Sequence, residues 1–320
     1  MVVIDVSPYC TTDNYLQIES LACKIALVRD QQIVLDLWPE GFDIVSTGFE
    51  NAVKNIADEL NIPYENITFK TCDRLCNSKI FKAIPAVDYF LSNIISLDKF
   101  TAPAETNYGM FFGRVSNERL YSFWKHRNFY QNKKGIVNFH YQKTNFNEFN
   151  SSYTGFICEH NKKWQEIKDL LPYIDVPDHA VVDKDLNSNA SGNAWQPSDF
   201  WNSVYKKITV EIVSETNLAE NTFFITEKTY RPIAYGRLFL VIGNTNFERR
   251  LKDMGFDIFD DIIDKSYDTE YGYIRIDKIF NSLGKFLSEN SNIDSLYERL
   301  KNNQKHLAKL SEMEKVKYVK

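Results

Sequence analysis

A strand pattern, a helix pattern and a second strand pattern follow one another twice along this chain, once on each side of a short linker-like stretch. Val2-Val3-Ile4-Asp5-Val6 and Gln32-Ile33-Val34-Leu35-Asp36-Leu37 are runs of strand length rich in β-branched residues. From Phe49 the apolar positions Val53, Ile56, Ala57 and Leu60 recur at helical spacing; Asn61 and Pro63 close that pattern, and Asn66-Ile67-Thr68-Phe69 reads as the next strand. A helical stretch from Tyr89 to Leu97 then ends before residues 101–108, where polar residues and Pro103 mark a linker. Beyond it the alternation restarts, with a strand at Gly109 to Gly113, a helix over Glu118 to Lys125 and a strand near Ile136 to Phe139. Strands separated by helices pair in parallel, so the expectation is an α/β protein built on open sheets.

A chain of 320 residues fits two domains at roughly 100 to 200 residues each. The expected division is residues 1–105, residues 106–300 and a C-terminal basic helix or tail over residues 301–320, with the last helix packing back toward the first domain. With 43% hydrophobic residues the chain can bury sizeable cores, and no apolar run is long enough to cross a bilayer. The first ten residues lack a basic segment followed by an apolar one, so no secretory leader is expected and a cytoplasmic location is. The net charge of −5 excludes a general polycation, so any nucleic-acid contact has to come from a local patch. The five cysteines are scattered and lack zinc-ligand spacing, so free, buried thiols are expected.

The chemistry concentrates late in the second half, after the strand-like Ile208 to Val213. Thr226 reads as an N-cap with Glu227 and Lys228 in the first helical turn, ahead of an apolar strand at Leu238 to Ile242. These can be no more than helix-terminus charges. Alternatively, the helix amides, Lys228 and Arg231 face a diphosphate while Glu227 accepts hydrogen bonds from ribose hydroxyls.

The wider context carries a resemblance. Thr226-Glu227-Lys228-Thr229, Pro232-Ile233, Gly236-Arg237, Val241-Ile242-Gly243, Leu251, Gly255-Phe256, Phe259 and Ser266-Tyr267-Asp268 follow in order, preceded by Phe111-Phe112-Gly113-Arg114 and Ile212-Val213-Ser214-Glu215-Thr216. This set resembles the donor-binding half of phage, viral and bacterial glycosyltransferases related to the α1,3-fucosyltransferases. Thr216 stands where that family has Asn, and Leu238 where the phage-type sequences usually have Pro. The match covers residues 108 to 270. It implies a GT-B fold, two Rossmann-like domains facing a cleft, with a UDP- or GDP-sugar as co-substrate. It also implies that Arg114 and Lys228 hold the diphosphate, Glu227 the ribose, and that Glu215 braces the pocket. Protein cations would then do the leaving-group work, and neither metal nor cofactor is expected.

Other motifs compete. Asp183 and Asp185 form an Asp-x-Asp, which in another glycosyltransferase architecture would bind a divalent metal; their flanks, residues 182–199, read as a loop. A general base on the first domain would come from Asp5, Glu19, Asp73, Asp88 or Glu105, and nothing in the sequence selects among them. His126, His140, His160, His179 and His306 have no mutual metal-ligand spacing; His160, beside Glu159, is the one worth watching.

For the acceptor, Arg119 to Asn147 holds six basic side chains and no acidic one, interleaved with Tyr121, Phe123, Trp124, Phe129, Tyr130, Phe139, Tyr141 and Phe146. Basic groups with stacking aromatics suit a DNA-modifying surface, with Lys125, Arg127, Lys133 and Lys134 as its candidate cations. The resemblance extends to phage enzymes that put sugars on hydroxymethylated pyrimidines, so a base flipped out of duplex DNA is the lead acceptor. A cell-surface glycan or small carbohydrate, or a non-catalytic sugar-nucleotide-binding protein, are the alternatives.

Overall fold

The computed structural model describes residues 1–6, 18–37, 48–76, 78–86, 88–92, 108–112, 116–126, 135–139, 199–215, 218, 222–289 and 294–319. The chain divides into two compact units: Met1–Asn93 with Glu215–Thr226 and Leu310–Lys320, and Ile94–Ser214 with Glu227–Lys309. The division is thus not a single cut in the sequence. A twelve-residue segment from the middle of the second half and the end of the last helix both belong with the first unit.

The first unit is built on a parallel sheet in the order β1 (Val2–Asp5), β2 (Ile33–Asp36), β3 (Ile67–Thr71), β4 (Lys82–Pro85). Helix α1 (Ile18–Ala26) connects the first two strands and α2 (Phe49–Leu60) the next pair. The expected face of α2 is the buried one: Phe49, Val53, Ile56 and Ala57 pack with Leu35, Phe69 and Phe81, where Phe69 and Phe81 meet edge to face at 4.9 Å. Asn61 ends α2 in the left-handed region at φ 53°, its N–H returning to the carbonyls of Ala57 and Asp58. A short polar side chain tolerates that conformation better than a β-branched one, which is why the helix stops there and not later. A one-turn helix α3 (Tyr89–Ser92) follows β4.

The second unit carries another all-parallel sheet, in the order β6 (Gly135–Phe139), β5 (Tyr108–Phe112), β7 (Val210–Ser214), β8 (Leu238–Ile242). All five residues of both β7 and β8 are buried, as expected of strands covered on two faces. Helices α4 (Asn117–Lys125), α5 (Asp199–Tyr205), α6 (Glu227–Ala234) and α7 (Phe247–Asp253) lie between or after these strands, and α8 (Gly272–Glu289) and α9 (Tyr297–Val319) complete the chain. Helix α6 packs on β7 and β8, and α8 on α4 and β8.

Among the described residues strand β8 pairs on one side only, and the outward peptide groups of Phe239 and Val241 take other partners. Side chains supply them: Lys265 donates to the Phe239 carbonyl at 2.9 Å, Glu248 accepts from the Val241 N–H at 2.7 Å, and Arg275 donates to the Val241 carbonyl at 3.0 Å. The same cluster holds α7. Asp268 accepts from the N–H groups of Glu248 at 3.1 Å and Arg249 at 2.9 Å, capping that helix from twenty residues away, and is itself paired with Arg275 at 2.8 Å. Ser266-Tyr267-Asp268, which in the sequence is only a motif, thus closes a sheet edge and caps a helix. Gly236-Arg237 is also structural: Gly236 turns at φ 61° and Arg237 donates through Nε to the carbonyl of Tyr205 at 2.7 Å, at the end of α5.

Among the described residues no helix is long and apolar enough to cross a membrane, and no group of His, Cys, Asp or Glu is arranged to hold a metal ion. Asp183 and Asp185 lie outside the described residues, as do His140, His160 and His179. His126 is buried and bonded through Nδ1 to the Tyr108 hydroxyl at 2.5 Å; His306 bonds through Nε2 to the Met254 carbonyl at 2.8 Å. Both are packing residues.

Candidate functional site

The strand order of the second unit contains a topological switch. From β5 the chain moves to β6 on one side, then crosses to β7 on the other. In open α/β sheets the connections diverge at such a point and leave a crevice beyond the carboxyl ends of the two central strands, where ligands bind. Here those ends are Phe112 on β5 and Ser214 on β7. The residues that leave them are Gly113-Arg114 and Glu215, the two positions singled out by sequence. Arg114 lies outside the described residues.

At the end of β7 sits a cation that the sequence reading placed elsewhere. Arg119 belongs to the first turn of α4, whose N-cap Ser116 accepts the Arg119 N–H at 3.3 Å. Its side chain is buried, and Nε and Nη2 donate to the hydroxyl and carbonyl of Ser214, each at 3.1 Å. Read as part of a basic surface, Arg119 instead secures the end of β7 at the switch. The serine-led helix start after β5 was the available signal, since a side chain from that first turn is within reach of the neighbouring strand end.

Helix α6 begins at Glu227. Glu227 and Lys228 form an ion pair at 2.9 Å with side chains 19% and 21% exposed, so both are partly open to a ligand. Burial pushes the Glu227 carboxyl up, but the charge and hydrogen bond of Lys228 and the charge of Arg231 outweigh it and hold it below the usual carboxylate range. Glu227 is therefore ionised at neutral pH. An ionised carboxylate that can accept two hydroxyl hydrogen bonds, beside an ammonium at the positive end of a helix, suits a sugar or ribose next to a phosphate.

Arg231 does not join them. Its guanidinium is buried, donating to Glu211 at 2.9 Å and to the Tyr205 hydroxyl at 2.8 Å, and it lies 3.9 Å from the centre of the Trp201 ring. Tyr205 donates in turn to Glu211 and stacks on Tyr235 at 4.2 Å. The Arg231 side chain is turned into the core, so it holds α6 and does not face a ligand alongside Lys228 as expected. Glu215 and Thr226 belong to the segment that groups with the first unit. There the Glu215 carboxylate accepts from the Thr226 N–H at 3.2 Å and hydroxyl at 2.6 Å. The Thr226 hydroxyl is thus directed to Glu215, a brace one residue before α6.

The acceptor patch looks different once folded. Lys125 pairs with Asp277 of α8 at 2.9 Å with its side chain 15% exposed, and Tyr121, Phe123 and Trp124 are buried in the core of the second unit. In the described part of the patch, aromatics expected to stack on bases instead pack α4 against the sheet and α8. Arg127, Lys133 and Lys134 lie outside the described residues.

The candidate bases of the first unit separate by environment. Asp5 and Glu19 are exposed; Asp73 and Asp88 are buried in the loops that follow β3 and β4; Glu105 lies outside the described residues. Asp88 pairs with Arg74 at 3.0 Å and caps α3 by accepting the Leu91 N–H at 2.9 Å.

No protein-family model matches the chain, and no curated protein matches it at a significant level. The functional reading rests on the residues and their geometry.

Proposed function

We propose that this protein is a nucleotide-sugar-dependent glycosyltransferase of GT-B type, transferring a sugar from a UDP- or GDP-sugar to an acceptor hydroxyl. The observation that carries the reading is the switch between β5 and β7, where an open parallel sheet takes an anionic ligand: Arg119 bonds to the end of β7, and Arg114 and Glu215 follow the two strands in sequence. The partly open Glu227-Lys228 pair at the start of α6 supplies the chemistry such a ligand needs. In transfer the acceptor oxygen attacks the anomeric carbon, the bond from that carbon to the diphosphate breaks, and its electron pair leaves on the diphosphate. Lys228, Arg114 and the first amides of α6 stabilise the charge that builds there, and a carboxylate of the first unit takes the acceptor proton. This assignment requires no metal.

Burial of Tyr121, Phe123 and Trp124, with Lys125 paired to Asp277, weakens the case for duplex DNA and favours a second acceptor class, a glycan or small carbohydrate. A hydroxymethylated pyrimidine in DNA now relies on Arg127, Lys133 and Lys134.

The experiment is a turnover screen of UDP- and GDP-sugars with and without hydroxymethylcytosine DNA, following released nucleotide and modified nucleosides by mass spectrometry. Lys228→Ala is expected to lower turnover by roughly 10²-fold, as removal of one preorganised charge stabiliser does. Near-normal turnover in that variant would move the donor site elsewhere, and full loss of activity to a chelator with recovery on Mn²⁺ would contradict the metal-free assignment.

A further inference from the structure

Residues 222–226 run into α6 with no regular secondary structure, yet every one of them is buried. Irregular backbone removed from water has to find hydrogen-bond partners or lose stability for each unmet group. For this segment the partners come from the loop after β3. Asp73 Oδ1 accepts the Phe223 N–H at 2.8 Å, and the Arg74 N–H donates to the Phe223 carbonyl at 3.0 Å. Phe224 meets Phe90 edge to face at 5.9 Å, and the segment ends at the Glu215–Thr226 brace. Asp73 is held in place by its own turn: its N–H donates to Thr71 Oγ1 at 3.0 Å, and Oδ1 also accepts from the Leu75 N–H at 2.9 Å.

We infer that Asp73 is a positioning residue for the Glu227-Lys228 pair, acting through Phe223. One carboxylate oxygen shapes the β3 loop and at the same time fixes the segment whose next residues start α6. Phe223 lies five residues before Lys228, and residues 224–226 that lead into the helix are buried, so displacement at Phe223 is carried along the chain to the helix start. The loop after β3 thereby acts on the donor site without touching a ligand. The functional part of this inference rests on the donor-site reading above; the structural part does not.

Two variants of the full chain test it. Asp73→Ser keeps a short oxygen for the local Leu75 turn but cannot reach Phe223; Asp73→Asn keeps an Oδ1 in the same place without the charge. The readouts are hydrogen–deuterium exchange over residues 222–231 and KM and kcat for the sugar nucleotide. Asp73→Ser is expected to speed exchange in that peptide and to raise donor KM about tenfold, the equivalent of one lost charge-assisted hydrogen bond. Asp73→Asn should restore both exchange and donor KM to within about threefold. Unchanged exchange in Asp73→Ser, an Asp73→Asn as impaired as Asp73→Ser, or an Asp73→Ser chain that does not fold would each overturn the positioning role. Should the wild type turn over no nucleotide sugar, or Lys228→Ala behave as wild type, the donor reading fails by itself and the exchange comparison still decides the Asp73–Phe223 link.

Discussion

Replacing Arg231 with alanine separates a structural arginine from a ligand-binding one. The guanidinium of Arg231 is the cation beside Glu211, which is 1% exposed, and the two meet at 2.9 Å. Without it Glu211 keeps the Tyr205 hydroxyl but loses the opposite charge. Removing one partner of a buried pair costs about 3–5 kcal/mol, far more than the pair contributes relative to apolar residues of similar size. At roughly 2–4 °C per kcal/mol for a unit of this size, the melting transition of the second unit should fall by about 6–20 °C in scanning calorimetry. The loss should depend on pH. Burial, the largest influence, holds the Glu211 carboxyl above its usual value of about 4.5 even against the charge of Arg231. Without that charge it rises further, so the folded state retains a proton that the unfolded state has released. Stability then declines from about pH 4.5 upward until the new folded pKa is passed, and the gap to wild type is smaller at pH 4 than at pH 8. Replacing the three groups together, as Arg231→Met, Glu211→Leu and Tyr205→Phe, should recover most of the stability because no buried charge remains. An Arg231→Ala protein with the wild-type melting temperature and no nucleotide binding would refute this reasoning and return Arg231 to the diphosphate.

Asp268→Ala removes the cap of α7 and leaves buried Arg275 without its carboxylate, so a loss of about 3–5 kcal/mol is expected in denaturant unfolding. Asp268→Asn, whose single amide oxygen can accept from only one of the two N–H groups and which has no charge for Arg275, should recover at most part of that loss; wild-type stability in it would refute the two-oxygen cap. Among the described thiols, exposed Cys23 should react with a disulfide reagent at pH 8 long before Cys72, whose thiol is pushed up to about 12 by burial and then by the charges of Asp88 and Asp36. Peptide mapping that finds Cys72 modified first would contradict its placement.

How far the sequence could be read depended on how local each signal was. The periodicity of Phe49 to Leu60, the Asn61 stop and the apolar run Leu238 to Ile242 were legible because each lies within one element, and all appear within a residue or two of their expected bounds. Strand β4 was not legible: Lys82–Pro85 is an edge strand with mixed exposure and no alternating pattern. Helices α1 and α5 were missed as well. The loop bearing the Asp-x-Asp of Asp183 and Asp185 and most of the basic patch lie outside the described residues.

From the sequence alone came the two-fold repetition of strand and helix, the parallel pairing it requires, and the segment in which the chemistry gathers. The tertiary structure decided the strand order β6-β5-β7-β8, and with it the position of the switch. It also decided which charges stay partly open and which are taken up in pairs. Lys228 stays partly open, whereas Arg231 finds Glu211 twenty residues away, Lys125 finds Asp277 on a distant helix, and Arg119 closes on Ser214. Hydrophobic period is a property of neighbouring residues, but a charge is buried or free according to what the folded chain brings beside it, and no local pattern encodes that partner.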